Sequence, residues 1–376
     1  MAGLYIHIPF CKQACHYCDF HFSINQSLKL ALVQAMADEI RLQQQYLDRE
    51  NISTIYLGGG TPSLLSQEEL QLIFESVHQH FVSNANPEVT LEANPDDLTE
   101  EKISMLRASG INRLSIGIQT FHDELLYYLN RAHQASAAIA SFHAARSAGF
   151  ANISIDLMYA IPGQTEQLWE KDIEEAIRLN PEHISCYSLT IEPKTAFGQW
   201  SKTGKLKLVE DDIAARYLEV LIERLVAAGY EHYEISNFAK PGYYSKHNSS
   251  YWKQTHYLGI GPSAHSYNGV SRQYNIANNH LYLKSLQRGE IPFQREALSR
   301  DDLINEYILT TLRTHWGCDM AYLKKHYDYD MLTDRQQYLS DLFDKKIALL
   351  SGSIITLTQK GKLLADKIAS DLFLPA

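Results

Sequence analysis

One junction recurs along this chain and limits what it can fold into. Ala108-Ser109-Gly110-Ile111 leads into Arg113–Gln119, Ser147-Ala148-Gly149-Phe150 into Asn152–Asp156, and Ala227-Ala228-Gly229-Tyr230 into His232–Ser236. In each, a helix runs out in small residues, a glycine takes a left-handed C-cap, and a strand begins within three residues. Apolar runs at Leu4–Phe10, Ile52–Leu57, Val89–Ala93 and His183–Thr190 supply further strands. Between them lie helical patterns. One spans 27–47, with Leu32, Met36 and Ile40 on one face. Another opens at a Ser66-x-x-Glu69 capping box and carries Leu70, Ile73, Phe74 and Val77. A third runs through Ile103 and Leu106. Six strands alternating with helices before residue 230 predict an α/β fold with a parallel sheet.

A doubly wound sheet and a barrel both satisfy the alternation, and the polar residues choose between them. Cys11, Gly59, Glu92, Gln119 and Asp156 each fall at or near the C-terminal end of a different strand. Convergence of many strand ends on one rim is the barrel arrangement, so residues 1–235 read as a partial (β/α)6 barrel. Residues 236–298 are rich in Tyr, His, Asn and Gly. They read as an irregular segment lying over the barrel mouth. Residues 299–376 are helical, with a hairpin signal at Ile347–Leu357 and a helix start at Lys360-Gly361-Lys362. They predict a smaller C-terminal winged-helix-like domain acting as a lid or protein contact.

Cys11, Cys15 and Cys18 form C-x3-C-x2-C within a collar of Phe10, Tyr17, Phe20 and Phe22. Soft thiolates in an apolar shell suit an iron–sulfur cluster. Cys15-x2-Cys18-x2-His21 with Cys11 also satisfies the spacing of a Cys3His zinc site. Three cysteines within eight residues argue against simple buried thiols, which remain the better reading of the isolated Cys186 and Cys318. Few cysteines, most of them clustered, suit a reducing, cytoplasmic setting rather than a disulfide framework. The chain has 376 residues, is 45% hydrophobic and carries a net charge of −10. The charge argues against broad binding of nucleic-acid phosphates. No apolar run is long enough to span a membrane, which leaves room only for peripheral membrane contact.

Other residues invite chemistry. Gly58-Gly59-Gly60 closes a strand and lets backbone approach a small ligand. Glu92 puts a carboxylate at a strand end, Gln119 an amide in an otherwise apolar strand, and Asp156 an acid between Ile155 and Leu157. Buried groups of this kind need partners, from a ligand or from the protein. Arg131 could fork onto a ligand carboxylate. His247, Asn248, Tyr251, Trp252, His256 and His265 cluster in the 236–298 segment. Histidine can ligate haem iron and aromatics can stack on a porphyrin.

Several stretches together resemble the HemN/HemW branch of the radical S-adenosylmethionine (SAM) superfamily. They are Tyr5–Cys11, Gly58–Ser63, Leu91–Asp97, Arg113–Phe121, Leu129–His133, Ile155–Tyr159 and His247–Trp252. The resemblance implies a [4Fe–4S] cluster on Cys11, Cys15 and Cys18, whose fourth iron is left for SAM. It implies SAM contacts from Tyr5, Gly59, Gly60, Thr61, Glu92, Gln119, Arg131 and Asp156. It also makes His247, Tyr251, Trp252 and His265 candidates for contact with haem.

Two activities compete within the branch. The oxygen-independent coproporphyrinogen III oxidases carry another cysteine two residues after the third and an N-terminal extension. Here the position is Phe20, and ten residues precede Cys11. The resemblance therefore favours the HemW group, whose members bind haem and pass it to apo-haemoproteins of the respiratory chain. The alternatives are the oxidative decarboxylase and a zinc-stabilised interaction protein.

Overall fold

In the computed structural model, which describes residues 1–375, the recurrent glycine junction closes as its sequence predicts. Gly110, Gly149 and Gly229 all sit at φ +88°, where a side chain would be strained. The next residue's N–H reaches back to close each helix: Ile111 to Leu106 O, Phe150 to Ala145 O, Tyr230 to Leu225 O, at 3.0–3.2 Å. The Ser66/Glu69 capping box also forms, ahead of the helix Gln67–His80.

The first two junctions deliver strands of one parallel sheet. Its members are β1 (Ala2–Ile8), β2 (Ile52–Gly59), β3 (Ser83–Ala93), β4 (Arg113–Gln119), β5 (Ile153–Tyr159) and β6 (His183–Ser188). They pair in sequence order, all parallel. The third junction delivers something else. β7 (Glu231–Glu234) turns back onto β8 (Asn237–Ala239), which pairs antiparallel with β6 and ends the barrel run. The barrel is thus partial, with six β/α units in the expected order.

Residues 236–298 are not an irregular cover. They return to the opposite edge of the sheet as β9 (Tyr257–Ile260), parallel to β1. Three antiparallel strands follow: β10 (His265–Tyr267), β11 (Ser271–Asn275) and β12 (Phe293–Ala297). Leu258 and Ile260 of β9 are fully buried. The polar composition of the segment hides this short apolar strand. Gly259 makes the return possible, since a Cβ there would lie 2.1 Å from His265 O.

A buried network ties this extension to the barrel. Glu39, wholly buried in the helix Lys29–Leu42, accepts from the Gly261 amide at 2.8 Å, Asn275 at 2.7 Å and the Tyr282 hydroxyl at 2.5 Å. Residues 300–374 form a separate core around Ile304, Ile308, Leu323, Leu339 and Ile368. Its small sheet has β14 (Ala348–Ser351) and β15 (Ile354–Leu357) as a hairpin beside β13 (Cys318–Asp319). Cys186 and Cys318 are buried core thiols, as read from the sequence. Among the described residues no helix is long and apolar enough to cross a membrane.

Candidate functional site

The strands of the barrel point alternate side chains inward, and at their C-terminal ends these line a cavity of about 460 Å³. That size is typical of a small-molecule site. Cys11, Cys15 and Cys18 open onto it from the loop after β1, each half-buried. The loop is stitched down at both ends. Cys11 N–H bonds Ser23 O at 3.0 Å, and Gln13 Nε2 bonds Asn130 Oδ1 at 2.6 Å. His16 bonds Leu129 O through its amide and Tyr128 O through Nδ1. The loop and the segment that carries Arg131 are therefore placed by one set of bonds.

Burial pushes the Cys11 thiol up and the Cys18 thiol up to about 12. Both would lose their protons on meeting a metal. Thr61 Oγ1 donates to Cys11 Sγ at 3.3 Å and Arg131 Nη1 to Cys15 Sγ at 3.4 Å. Among the described residues no three His, Cys, Asp or Glu side chains converge closely enough to share one metal ion. His21, the fourth ligand of the zinc reading, turns away, with Nε2 2.7 Å from Asn279 Oδ1 and its ring against His7. His21 is thus engaged away from the three cysteines of the Cys3His reading. Thiols spread around an opening, with no fourth ligand, fit a cubane cluster in which each thiolate takes its own iron.

The opposite wall carries the acids. Glu92 accepts from the Tyr56 hydroxyl at 2.8 Å and the Gly59 amide at 3.1 Å. Burial lifts its pKa to about 7; Asp156 adds repulsion, and the two hydrogen bonds oppose both. Asp156 accepts from Ser115 Oγ at 3.2 Å, and burial lifts it to about 6. Gln119 ends β4 at φ +70°, and a Cβ on Gly117 would lie 3.0 Å from its Nε2. Arg131 Nη2 donates at 2.7 Å to both Asn94 Oδ1 and Gly117 O, while its Nε is buried without a partner.

Gly59 and Gly60 line the cavity, but they also pack tightly against the exit of β1. A Cβ on Gly60 would lie 2.6 Å from Ile8 O, and one on Gly59 2.5 Å from the His7 ring. Tyr5 is not in the cavity wall. It pairs in register with the cavity-lining Tyr56 and stacks on it at 6.1 Å, with its hydroxyl 3.2 Å from His7 Nδ1.

Of the haem candidates, His247 and Tyr251 meet each other, while Trp252 and His265 have other partners. His247 is 1% exposed, and both ring nitrogens are engaged: Nδ1 with Thr54 Oγ1 at 2.8 Å, Nε2 with Tyr251 OH at 2.9 Å. Burial holds its pKa down at about 3. Trp252 lies under Arg313, 5.5 Å from ring centroid to guanidinium carbon. His265 is exposed on β10 and stacks on Tyr274 at 5.6 Å. On the helix Lys246–Trp252, His247 and Tyr251 are one turn apart and share a face. Asn248 points elsewhere and is the side chain of this run that reaches the cavity. A short helix keeps His247 and Tyr251 together, while His265 stands on β10.

Asn94, Tyr56, Arg113 and Ser185 also line the cavity and escaped the sequence reading. Asn94 and Arg113 stand inside the quoted motifs, so their signal was present. Tyr17 of the cysteine collar lines it as well.

The geometry agrees with comparison to known proteins. Residues 5–176 match the radical SAM superfamily. The heme chaperone HemW of Bacillus subtilis is 37% identical over 375 residues, 98% of each chain. The chain belongs to the HemW family. The Escherichia coli HemW is 39% identical over 268 residues, covering 70% of this chain and 69% of its own. Among solved structures, the radical SAM enzyme coproporphyrinogen III oxidase (HemN) from Escherichia coli superposes with a TM-score of 0.85. It is 25% identical, with 99% of this chain and 90% of that one covered. The HemW family thus shares HemN's architecture. This superfamily's [4Fe–4S] cluster and SAM suit the thiol opening and the polar wall described above.

Proposed function

We propose that this protein is a haem-binding and haem-transfer protein built on a radical SAM barrel. Cys11, Cys15 and Cys18 hold the cluster. Gly59, Gly60, Thr61, Glu92, Gln119, Arg131 and Asp156 hold SAM, with Arg131 for its carboxylate and the two acids for its ribose hydroxyls. The bound cluster and SAM would supply one-electron chemistry. The residues of the chain position the ligand and shield it from water.

The observation that carries the reading is Phe20. It stands 66% exposed at the cavity lip, where the oxidases are expected to carry a further cysteine. Full-length similarity to proteins named heme chaperone supports the same choice. The recipients of haem would be apo-haemoproteins of the respiratory chain, met in the cytoplasm or at the membrane surface. Three accessible thiols need a reducing compartment of that kind. The close superposition on HemN favours a second reading, oxidative decarboxylation of coproporphyrinogen III.

One experiment separates the two. The protein is reconstituted anaerobically and incubated with SAM, a strong reductant and coproporphyrinogen III. No protoporphyrinogen despite a SAM-binding cluster, together with stoichiometric haem uptake, is the expected result. Multiple turnovers would establish the oxidase instead.

A further inference from the structure

The cavity floor carries a cation that none of the roles above uses. Arg113 opens β4, is 1% exposed, and lines the cavity. Its Nε is buried with no hydrogen-bond partner. The carboxylates nearest in charge do not pair with it. Glu92 is engaged by Tyr56 and the Gly59 amide, and Asp156 by Ser115.

The other neighbours supply no negative charge. His247 lies between Thr54 and Tyr251. His183 lies between Ser154 Oγ at 2.8 Å and the Tyr233 hydroxyl at 2.7 Å. Burial keeps both imidazoles neutral, and Arg113's own charge helps. A guanidinium is a rigid fork matched to carboxylate geometry, and here Glu92 and Asp156 act on its charge without an ion-pair contact that fills the fork. Arg131 makes the same kind of fork nearer the cysteines but spends it on Asn94, Gly117 and Cys15.

We infer that Arg113 is a second anion seat, and that it receives a carboxylate side chain of a ligand entering beneath the SAM-binding rim. The inference rests on the reading of this cavity as a SAM and tetrapyrrole site, in which the carboxylate is a propionate. Arg113 then decides which tetrapyrroles are held: those with a free propionate, not their esters.

The test uses the full-length, cluster-loaded protein with SAM bound. Haem and its dimethyl ester are titrated into wild type, Arg113→Gln and Arg113→Lys. In parallel, saturation-transfer NMR follows free propionate as a ligand. Wild type is expected to prefer the diacid by about tenfold or more, a difference of about 1.4 kcal/mol. Arg113→Gln should abolish both the preference and the propionate signal, and Arg113→Lys should keep part of each. Iron and sulfide content should stay within about twofold of wild type in both variants.

Equal binding of diacid and ester by wild type, or a preference that survives Arg113→Gln, overturns the seat and leaves haem binding standing. Loss of the cluster in both variants also overturns it, because Arg113 would then be a structural counter-charge for the buried Glu92 and Asp156. Failure of wild type to bind haem in either form, with a propionate signal that depends on Arg113, would sink the haem reading and keep the seat.

Discussion

Arg131 donates to the Cys15 sulfur at 3.4 Å, joining the loop after β1 to the segment after β4 at the edge of the cavity. The same guanidinium is anchored by Asn94 and Gly117, so its direction is set by the protein before any ligand arrives.

Arg131→Gln should therefore separate two effects. Loss of the charged fork should weaken SAM binding by roughly 10–100-fold, about 1.4–2.8 kcal/mol. Loss of the N–H···S bond should make the cluster harder to reduce. Equilibrium SAM titration and EPR-monitored potentiometry measure the two. Wild-type values for both would remove Arg131 from the site.

Glu92 predicts a pH dependence of definite sign. Its folded-state pKa is about 7 against an ordinary 4.5, so the folded ligand-free protein binds the proton more tightly than the unfolded chain. Stability should fall as pH rises from the ordinary value to about 7, then level off. Glu92→Gln should remove that penalty, raising stability above neutral pH by on the order of 2 kcal/mol while weakening SAM binding. Urea unfolding across the pH range reads the first effect. A Gln variant no more stable than wild type in alkaline buffer would contradict it.

Gly60 cannot tolerate a methyl group. Its nearest obstacles are backbone atoms, Ile8 O at 2.6 Å and Phe10 O at 2.7 Å, so the cysteine loop itself would have to move. Gly60→Ala should cost about 1–3 kcal/mol in chemical denaturation and lower the iron bound per chain after reconstitution. An unchanged iron content would show that the loop adapts.

His247 should behave as a structural residue. His247→Ala leaves Thr54 and Tyr251 without their shared partner in the interior. A loss of about 2–4 kcal/mol is expected, with the Soret band of the haem-loaded protein unchanged. A shifted Soret band at full stability would make His247 an axial ligand after all.

Local patterns that carry their own physics were legible without a structure. The glycine junctions recur because only glycine relaxes at φ +88° after a helix, and the Ser66/Glu69 box because its two hydrogen bonds are made within four residues. The cysteine motif showed its chemistry for the same reason: three soft ligands in one loop need no long-range contact to be recognised. The alternation of strands and helices then left few ways to bury the sheet.

The sequence alone determined the barrel run, the cysteine loop and the acids at the strand ends. Tertiary structure decided the rest. The return of residues 257–260 beside β1 depends on a Gly259 contact with His265 and on a buried Glu39 far away in the chain. Tyr5 and His247 found partners inside the protein, while Arg113 lines the cavity with its Nε unpartnered. Side-chain direction and the pairing of distant buried charges are set by packing between segments, and one-dimensional spacing carries no record of it.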